Sequence, residues 1–162
     1  MTEPSSSKRL IFLDIDGVLN TPRYVRKNGI DAISPVNVYH LRTIVKRTEA
    51  KIIISSTWRL LTRDRMNALE ELRHQLNMAG LDQPECVIGM TPNILDWNGG
   101  WRSVSRGHEI AVWRLLHDSQ DDYIIIDDGL VTPEDRLVKT DTKKGLQDSH
   151  VGQALALFGL IL

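Results

Sequence analysis

The sequence predicts an α/β fold in which helices flank a mostly parallel sheet. Three observations predict it: short apolar runs typical of buried strands, helical spacing of apolar residues between those runs, and polar clusters directly after them. Strands that alternate with helices form βαβ units, and the resulting parallel sheets bind ligands at the carboxyl ends of their strands. A functional site is therefore expected at the polar clusters.

Length and composition favour one domain with a buried core. The chain has 162 residues, of which 41% are hydrophobic and 25% charged. We predict a disordered tail at 1–9 and a single domain at 10–162. The net charge of −1 argues against binding nucleic acid by charge alone. Since Cys86 is the one cysteine, and no apolar run is long enough to span a membrane, we expect a cytoplasmic protein.

The first half of the chain begins with a predicted strand at 10–15, a continuous apolar run. The segment 17–34 is polar and mixed, which predicts a loop or flap. Ser34 followed by Pro35 is typical of a helix N-cap and first turn, so a helix is expected from there. A second buried strand is predicted at 51–55.

The second half continues the alternation of helices and strands. Apolar residues recur at helical spacing up to Ala79, and Gly80 supplies a stop signal. The predicted elements are a helix at 63–79, a weak strand at 86–88, a loop at 91–105, a helix at 107–117, a strong strand at 123–126, a weaker strand at 137–139 and a closing helix that includes 151–158.

The first strand ends in two aspartates, Asp14 and Asp16, followed by Gly17. In an extended chain residues i and i+2 face the same way, so we expect the two carboxylates to lie together. Crowded carboxylates repel one another and favour a hard cation such as Mg²⁺. One carboxylate can act as a nucleophile towards phosphorus, and the other as a general acid and base.

Two further strands are followed by polar groups that could share this site. Hydroxyl groups follow the second strand, a second acidic pair follows the strong strand, and a cation opens the preceding helix: Ser55, Ser56 and Thr57, Asp127 and Asp128, and Arg106. Each motif alone also fits a turn, a loop or a helix cap. Their order and their position at strand ends favour a single site for phosphoryl chemistry.

This set of motifs resembles the haloacid dehalogenase (HAD) superfamily, which implies a Rossmann-like fold. The resemblance implies that Asp14 is the nucleophile that forms an aspartyl phosphate and that Asp16 is the general acid and base. It also implies that the Asp16 backbone carbonyl binds Mg²⁺, that Ser55 is the second motif, and that Asp127 and Asp128 complete the metal site. Under this reading the metal residues are Asp14, Asp16, Asp127 and Asp128.

The third motif departs from the commonest pattern of that superfamily, which has a lysine there. No lysine occurs between Lys51 and Lys139. Arginine serves in some members, and Arg106 has the expected place. Arg102 and Arg114 are the alternatives, with Arg114 less favoured because it lies further along the helix.

Two segments, 53–59 and 106–113, resemble the HAD-type domain of multidomain RNA-repair proteins. They also resemble the phosphatase domains of polynucleotide kinase-phosphatases and the small deoxyribonucleotidases. The resemblance implies a nucleotide or a single-stranded RNA or DNA phosphate end as substrate. The segments 17–34 and 89–105 are too short to hold a folded cap domain, so an open site is expected.

Substrate contacts are expected from Gly17, Ser56 and Thr57, and from the flap, which contains Arg23, Tyr24, Arg26 and Lys27. Cations and aromatic rings together suit a single strand, as do Trp97 and Trp101 in the later loop. Local packing of Tyr24 and the tryptophans is the alternative. Arg59 fits either a phosphate ligand or a salt bridge. Trp58 and Trp113 are expected to pack beside the site, Cys86 to lie in the core, and His108, His117 and His150 to have surface or capping roles.

Other functions remain open at the level of sequence. The same residues suit a phosphatase of another small metabolite or of a phosphoprotein, or a phosphotransferase. A non-catalytic binding module is disfavoured, because a cluster of acidic residues costs stability unless a metal or a function maintains it.

Overall fold

A computed structural model of the chain describes residues 8–61, 67–94 and 104–160. Within these residues the elements follow one another as β1 (Arg9–Leu13), α1 (Pro22–Asn28), α2 (Pro35–Thr48), β2 (Lys51–Ile54), α3 (Trp58–Leu61), α4 (Ala68–Met78), β3 (Val87–Met90), α5 (Arg106–Leu116), β4 (Asp122–Asp127), β5 (Leu137–Lys139) and α6 (Asp148–Leu157).

The described strands form one sheet in the order β3-β2-β1-β4-β5, and every neighbouring pair is parallel. Strand β1 lies in the centre, where Leu13 pairs with Ile54 of β2 on one side and with Ile126 of β4 on the other. The predicted parallel α/β fold is confirmed. Because these three residues are level in the sheet, the residues that follow them meet at the same edge.

The two faces of the sheet are covered unequally in the described part of the chain. Alternate residues of β1 point to opposite faces, as the pleat of a strand requires. Ile11 and Leu13 pack in a large cluster with α2, α4 and α6. Phe12 packs on the other face with Trp113 of α5, their rings edge to face at 5.5 Å. Helix α5 is thereby fixed against the strand that leads into the polar cluster.

Several element boundaries differ from the sequence predictions. The flap contains α1, whose N-cap Thr21 accepts a hydrogen bond from Tyr24 N, and Pro22 occupies the first turn. The predicted helix at 63–79 begins at Ala68, and residues 62–66 lie outside the described chain. Strand β1 already includes Arg9, one residue inside the predicted tail. Cys86 is buried at the end of a 3₁₀ turn that leads into β3.

The loop after β5 is attached to the loop after β1. Ser34 caps α2 as predicted, and Asn37 in its first turn donates hydrogen bonds of 3.1 and 2.9 Å to the carbonyls of Lys144 and Leu146. Thr140 Oγ1 donates to the Gly17 carbonyl at 2.7 Å. These contacts hold the segment 140–146 beside the turn that follows β1. None of the described helices is long and apolar enough to cross a membrane.

Candidate active site

The sheet continues into the polar cluster through backbone hydrogen bonds. Asp14, the residue after β1, donates from its N–H to Ile126 O at 3.0 Å, and Ser55, the residue after β2, donates to Leu13 O at 2.8 Å. Asp127 is the last residue of β4. The backbone at all three positions is therefore fixed, and the three residues are 2–4% exposed.

The described acidic residues include one cluster that could hold a metal ion. Asp14, Asp127 and Asp128 each offer a carboxylate oxygen, and these oxygens lie within 4.8 Å of one another. The Asp128 side chain reaches the cluster through the space that a side chain at position 17 would fill. A Cβ at Gly17 would lie 2.2 Å from Asp128 Oδ2. Gly17 also has φ +75°, a conformation that glycine adopts without strain. Thr142 Oγ1 donates to Asp128 Oδ2 at 2.7 Å.

Arg106 joins two of these carboxylates. Its Nη1 lies 2.8 Å from Asp14 Oδ1 and 2.8 Å from Asp127 Oδ2, and it also donates to Ser55 O at 2.9 Å. The arginine is the first residue of α5, which is capped by the Ser105 side chain. The cation at the start of this helix thus lies between the ends of β1, β2 and β4.

Burial and mutual repulsion govern the protonation of the cluster. Burial raises the pKa of Asp14 to about 6; Arg106 opposes the rise and Asp127 adds to it. Burial also raises the pKa of Asp127, against the opposing effect of Arg106 and the Gly129 N–H. Burial would lower the pKa of Arg106, but Asp14 and Asp127 together hold it above its ordinary value.

The donor set fits Mg²⁺. Three carboxylates against one guanidinium leave a formal excess of two negative charges in the cluster. Asp14 Oδ1 is buried and forms an ion pair with Arg106, but it receives no other hydrogen bond from the described residues. Ser55 Oγ is also buried and has no hydrogen-bond partner among the described residues. Carboxylate oxygens are the ligands that hard divalent cations prefer. Asp14, Asp127 and Asp128 are the side chains that would hold the ion.

Asp16, which was predicted to lie beside Asp14, follows the end of β1 and makes contacts of its own. Strand β1 ends at Leu13, so the chain is not extended through Asp16, and the Asp16 side chain is exposed. Its carboxylate is not in the cluster formed by the described acidic residues. Asn20 instead donates from Nδ2 to Asp16 Oδ1 at 2.9 Å and accepts from Gly17 N at 3.2 Å. A metal role for Asp16 therefore depends on its backbone carbonyl.

The residues after β2 divide between the site and the interior. Ser56 Oγ accepts from Trp58 N at 3.3 Å, which is a cap at the start of α3, while Thr57 is exposed. Of the two roles left open for Arg59, the structure contains the salt bridge: its Nη2 lies 2.8 Å from Glu109 Oε2. Trp58 is buried in the core, as expected.

The other predicted residues either make different contacts or lie outside the described part of the chain. Arg114, an alternative to Arg106, donates to the carbonyls of Ser119 and Asp121 and covers the Tyr123 ring at 4.2 Å. Arg102, Trp97 and Trp101 lie outside the described residues. Arg23 is exposed on α1, and Tyr24 lines a surface groove between α1 and α4.

The histidines have the capping and surface positions expected of them. Gln147 N donates to His150 Nδ1 at 2.9 Å at the start of α6, and His117 stacks on Trp113 at 3.9 Å. His108 is exposed. None of the three contacts the acidic cluster through a described hydrogen bond.

Two site residues, Asn20 and Glu109, were not predicted from the sequence. Each has a local signal. Asn20 lies one helical-type turn after Asp16, with Leu19 N bonded to Ile15 O in that turn. Glu109 lies three residues after Arg106, which places both on one side of α5.

The sheet is parallel and flanked by helices, an aspartate follows its central strand, and a serine follows the next strand. Arg106 pairs with Asp14 and with Asp127 of the second acidic pair. Together these features define a HAD-type domain. The chain belongs to the family described as the HAD domain in Swiss Army Knife RNA repair proteins, whose model matches residues 10–151. No curated protein and no solved structure matches it.

The raised pKa of Asp14 predicts that its charge destabilises the metal-free fold. The pKa of Asp14 in the folded state, about 6, exceeds the ordinary value of 3.8. The contribution of this group to the free energy of unfolding is therefore fully present below about pH 4 and is lost as pH rises through about 6. Asp14→Asn should therefore raise the free energy of unfolding by about 3 kcal/mol at pH 8, and by much less at pH 4.5.

Urea unfolding in EDTA at the two pH values measures this effect. Asp82→Asn is the control, because Asp82 is a surface carboxylate paired with Lys46 and its loss gives no such gain. A metal-free Asp14→Asn protein that is less stable than the wild type at pH 8 would show that Arg106 outweighs burial.

Proposed function

We propose that this chain is a Mg²⁺-dependent phosphomonoesterase that works through an aspartyl phosphate on Asp14. The observation that carries the proposal is the Asp14 carboxylate itself, buried at the end of the central strand with Arg106 and the Ser55 hydroxyl beside it. A nucleophilic carboxylate needs a neighbouring positive charge, since it attacks an anionic phosphoryl group.

In the first step an Asp14 carboxylate oxygen attacks phosphorus, and the bond from phosphorus to the leaving oxygen breaks. Asp16 donates its proton to that oxygen, and the phosphoryl group is then carried by Asp14. In the second step Asp16 takes a proton from water, whose oxygen attacks phosphorus while the bond from phosphorus to the Asp14 oxygen breaks. Inorganic phosphate leaves, and Asp14 and the protonated Asp16 are restored.

The other residues have supporting roles in this proposal. Arg106 offsets the negative charge of the phosphoryl oxygens, and the unpartnered Ser55 hydroxyl donates to one of them. Bound Mg²⁺ would supply further charge neutralisation and orient the phosphoryl group. The exposed position of Asp16 supports its role, because an acid for the leaving group must face the side from which substrate enters.

We further propose that the substrate is a nucleotide or a single-stranded polynucleotide end with a terminal phosphate. The description of the family as a domain of RNA repair proteins supports this class. Between β1 and α2 the chain forms only the seven-residue helix α1, so this segment holds no cap domain that would exclude a large substrate. Helix α1 has basic residues in its last turn, Arg26 and Lys27, and a further cation, Arg23.

Hydrolysis of terminal phosphates tests the proposed nucleophile. We expect Mg²⁺-dependent release of phosphate from mononucleotides or from 3′- or 5′-phosphorylated oligonucleotides, and its loss in EDTA. Asp14→Asn should lower kcat by about three orders of magnitude or more, since no carboxylate is left to attack. Phosphate release is measured across this panel, with Asp82→Asn as a surface control of the same chemistry.

Two results would contradict or redirect this proposal. Unchanged turnover in Asp14→Asn would exclude Asp14 as the nucleophile. Transfer of phosphate to an added alcohol at the expense of release would instead indicate a phosphotransferase that uses the same intermediate.

Basic residues of α1 should affect polymers and not mononucleotides. Replacing Arg23, Arg26 and Lys27 by Gln removes three charges from an exposed surface. We expect the slope of log kcat/KM against log salt for a phosphorylated oligonucleotide to become shallower by about 2, because fewer counterions are released. The kcat/KM of the variant for a mononucleotide should stay within about twofold of the wild-type value.

The matched control is Arg47→Gln, a single exposed cation at the far end of α2. Salt-dependent steady-state kinetics on both substrates measures the difference. An equal loss of kcat/KM on the mononucleotide and on the oligonucleotide would show that α1 does not bind the polynucleotide chain.

A further inference from the structure

A buried ion pair between Arg59 and Glu109 lies outside the acidic cluster. Arg59 is 8% exposed and Glu109 is 2% exposed, and Arg59 Nη2 lies 2.8 Å from Glu109 Oε2. A buried pair of this kind is weak evidence for stability, because removing two charges from water costs about as much as their attraction returns. The position of the pair therefore calls for another explanation.

The pair connects three segments that border the site. Arg59 Nη1 donates to Ser56 O at 2.7 Å, in the turn after β2. Glu109 Oε1 accepts from Ile94 N at 3.2 Å, in the segment after β3. Glu109 itself belongs to the first turns of α5, three residues after Arg106.

Two arginines thus hold two consecutive carbonyls of one turn. Arg106 donates to Ser55 O at 2.9 Å, and Arg59 donates to Ser56 O. One arginine reaches from α5 towards the turn, and the other reaches from the turn towards α5. The distance between α5 and the turn after β2 is consequently fixed from both sides.

Glu109 is the carboxylate that neutralises Arg59 in this region. Burial lowers the pKa of Arg59, and the neighbouring Glu109 carboxylate opposes this change. The Arg106 guanidinium lowers the pKa of Arg59 further, whereas the Asp14 carboxylate raises it. Arg59 and Arg106 donate to the consecutive carbonyls Ser56 O and Ser55 O, and Arg106 also pairs with Asp14, so Arg59 lies close to the cation that contacts Asp14. The Nε of Arg59 is buried and has no hydrogen-bond partner in the described part of the chain, so the guanidinium has an unused donor. Without Glu109, an uncompensated Arg59 would be attracted towards Asp14 and would repel Arg106.

We propose that Glu109 is a positioning residue that binds Arg59 in a buried ion pair, holds it away from Asp14, and so keeps Arg106 as the cation of the site. The kinetic part of this proposal rests on the proposed phosphatase function, whereas the electrostatic part does not. Neither residue needs to contact the substrate.

A thermodynamic cycle tests the electrostatic part without activity or metal. Urea midpoints are measured in EDTA at pH 8 for wild type, Glu109→Gln, Asp14→Asn and the double variant. If released Arg59 interacts with Asp14, Glu109→Gln lowers the midpoint more in the Asp14→Asn background than in the wild type. Additive shifts would overturn the proposal, because independent sites add. Asp82→Asn, crossed with Asp14→Asn, is the additive control.

Kinetics tests the positioning part. Glu109→Gln should lower kcat by about ten- to a hundredfold through misplacement of Arg106, with KM within about twofold. Arg59→Met/Glu109→Gln removes the released cation and should recover part of kcat, although the turn after β2 stays less well held. If the ion pair is merely structural, the kcat of the double variant will be no higher than that of Glu109→Gln. That result would overturn the proposal.

The two experiments separate the ways in which the account can fail. Absence of turnover in the wild type contradicts the proposed function, while the urea cycle still decides the role of Glu109. If Glu109→Gln does not fold, the kcat of Arg59→Met/Glu109→Gln decides instead. A kcat in that variant more than about a hundredfold below wild type overturns the proposal, because no released cation is left to displace Arg106.

Discussion

The site is organised by the crowding of carboxylates at the ends of parallel strands. Asp14 and Asp127 are buried, Asp128 lies beside them, and Arg106 pairs with the first two at 2.8 Å. Burial raises the pKa of Asp14 and of Asp127, so their charged forms are costly in the metal-free protein. Arg106 offsets part of that cost, and the remaining negative charge matches a divalent cation. The same electrostatic demand explains both the shared arginine and the proposed metal.

The backbone makes this crowding sterically feasible at a few positions. Gly17 lets the Asp128 side chain cross the turn after β1, where any Cβ would collide with it. Gly107 has a similar role one residue after Arg106: a Cβ there would lie 2.5 Å from Thr132 O. The start of α5 is thus pressed against the loop between β4 and β5. The position of Arg106 depends on this close contact as well as on the packing of Trp113 beneath it.

The fold was predictable because its signals are local. Isoleucine-rich runs predict buried strands, and the order of the runs and helices predicts a parallel sheet. The helix in the flap was missed although Thr21 and Pro22 mark its start, because α1 is short, mostly polar and buries none of its residues. The Asp16 carboxylate is not part of the acidic cluster of the described residues, because β1 ends at Leu13 and the extended-chain rule no longer applies there. The partner of Arg59 could not be predicted, since Glu109 is 50 residues away and only the packing of α5 brings them together.

The cluster of Asp14, Asp127 and Asp128 is proposed to be a divalent-cation site. Calorimetric titration of the metal-free chain with Mg²⁺ tests it most directly, independently of any substrate. The account predicts saturable binding of one ion per chain, weakened by about tenfold or more in Asp127→Asn and unchanged in Asp82→Asn. Absence of saturable binding, or equal affinity in wild type and Asp127→Asn, would contradict it.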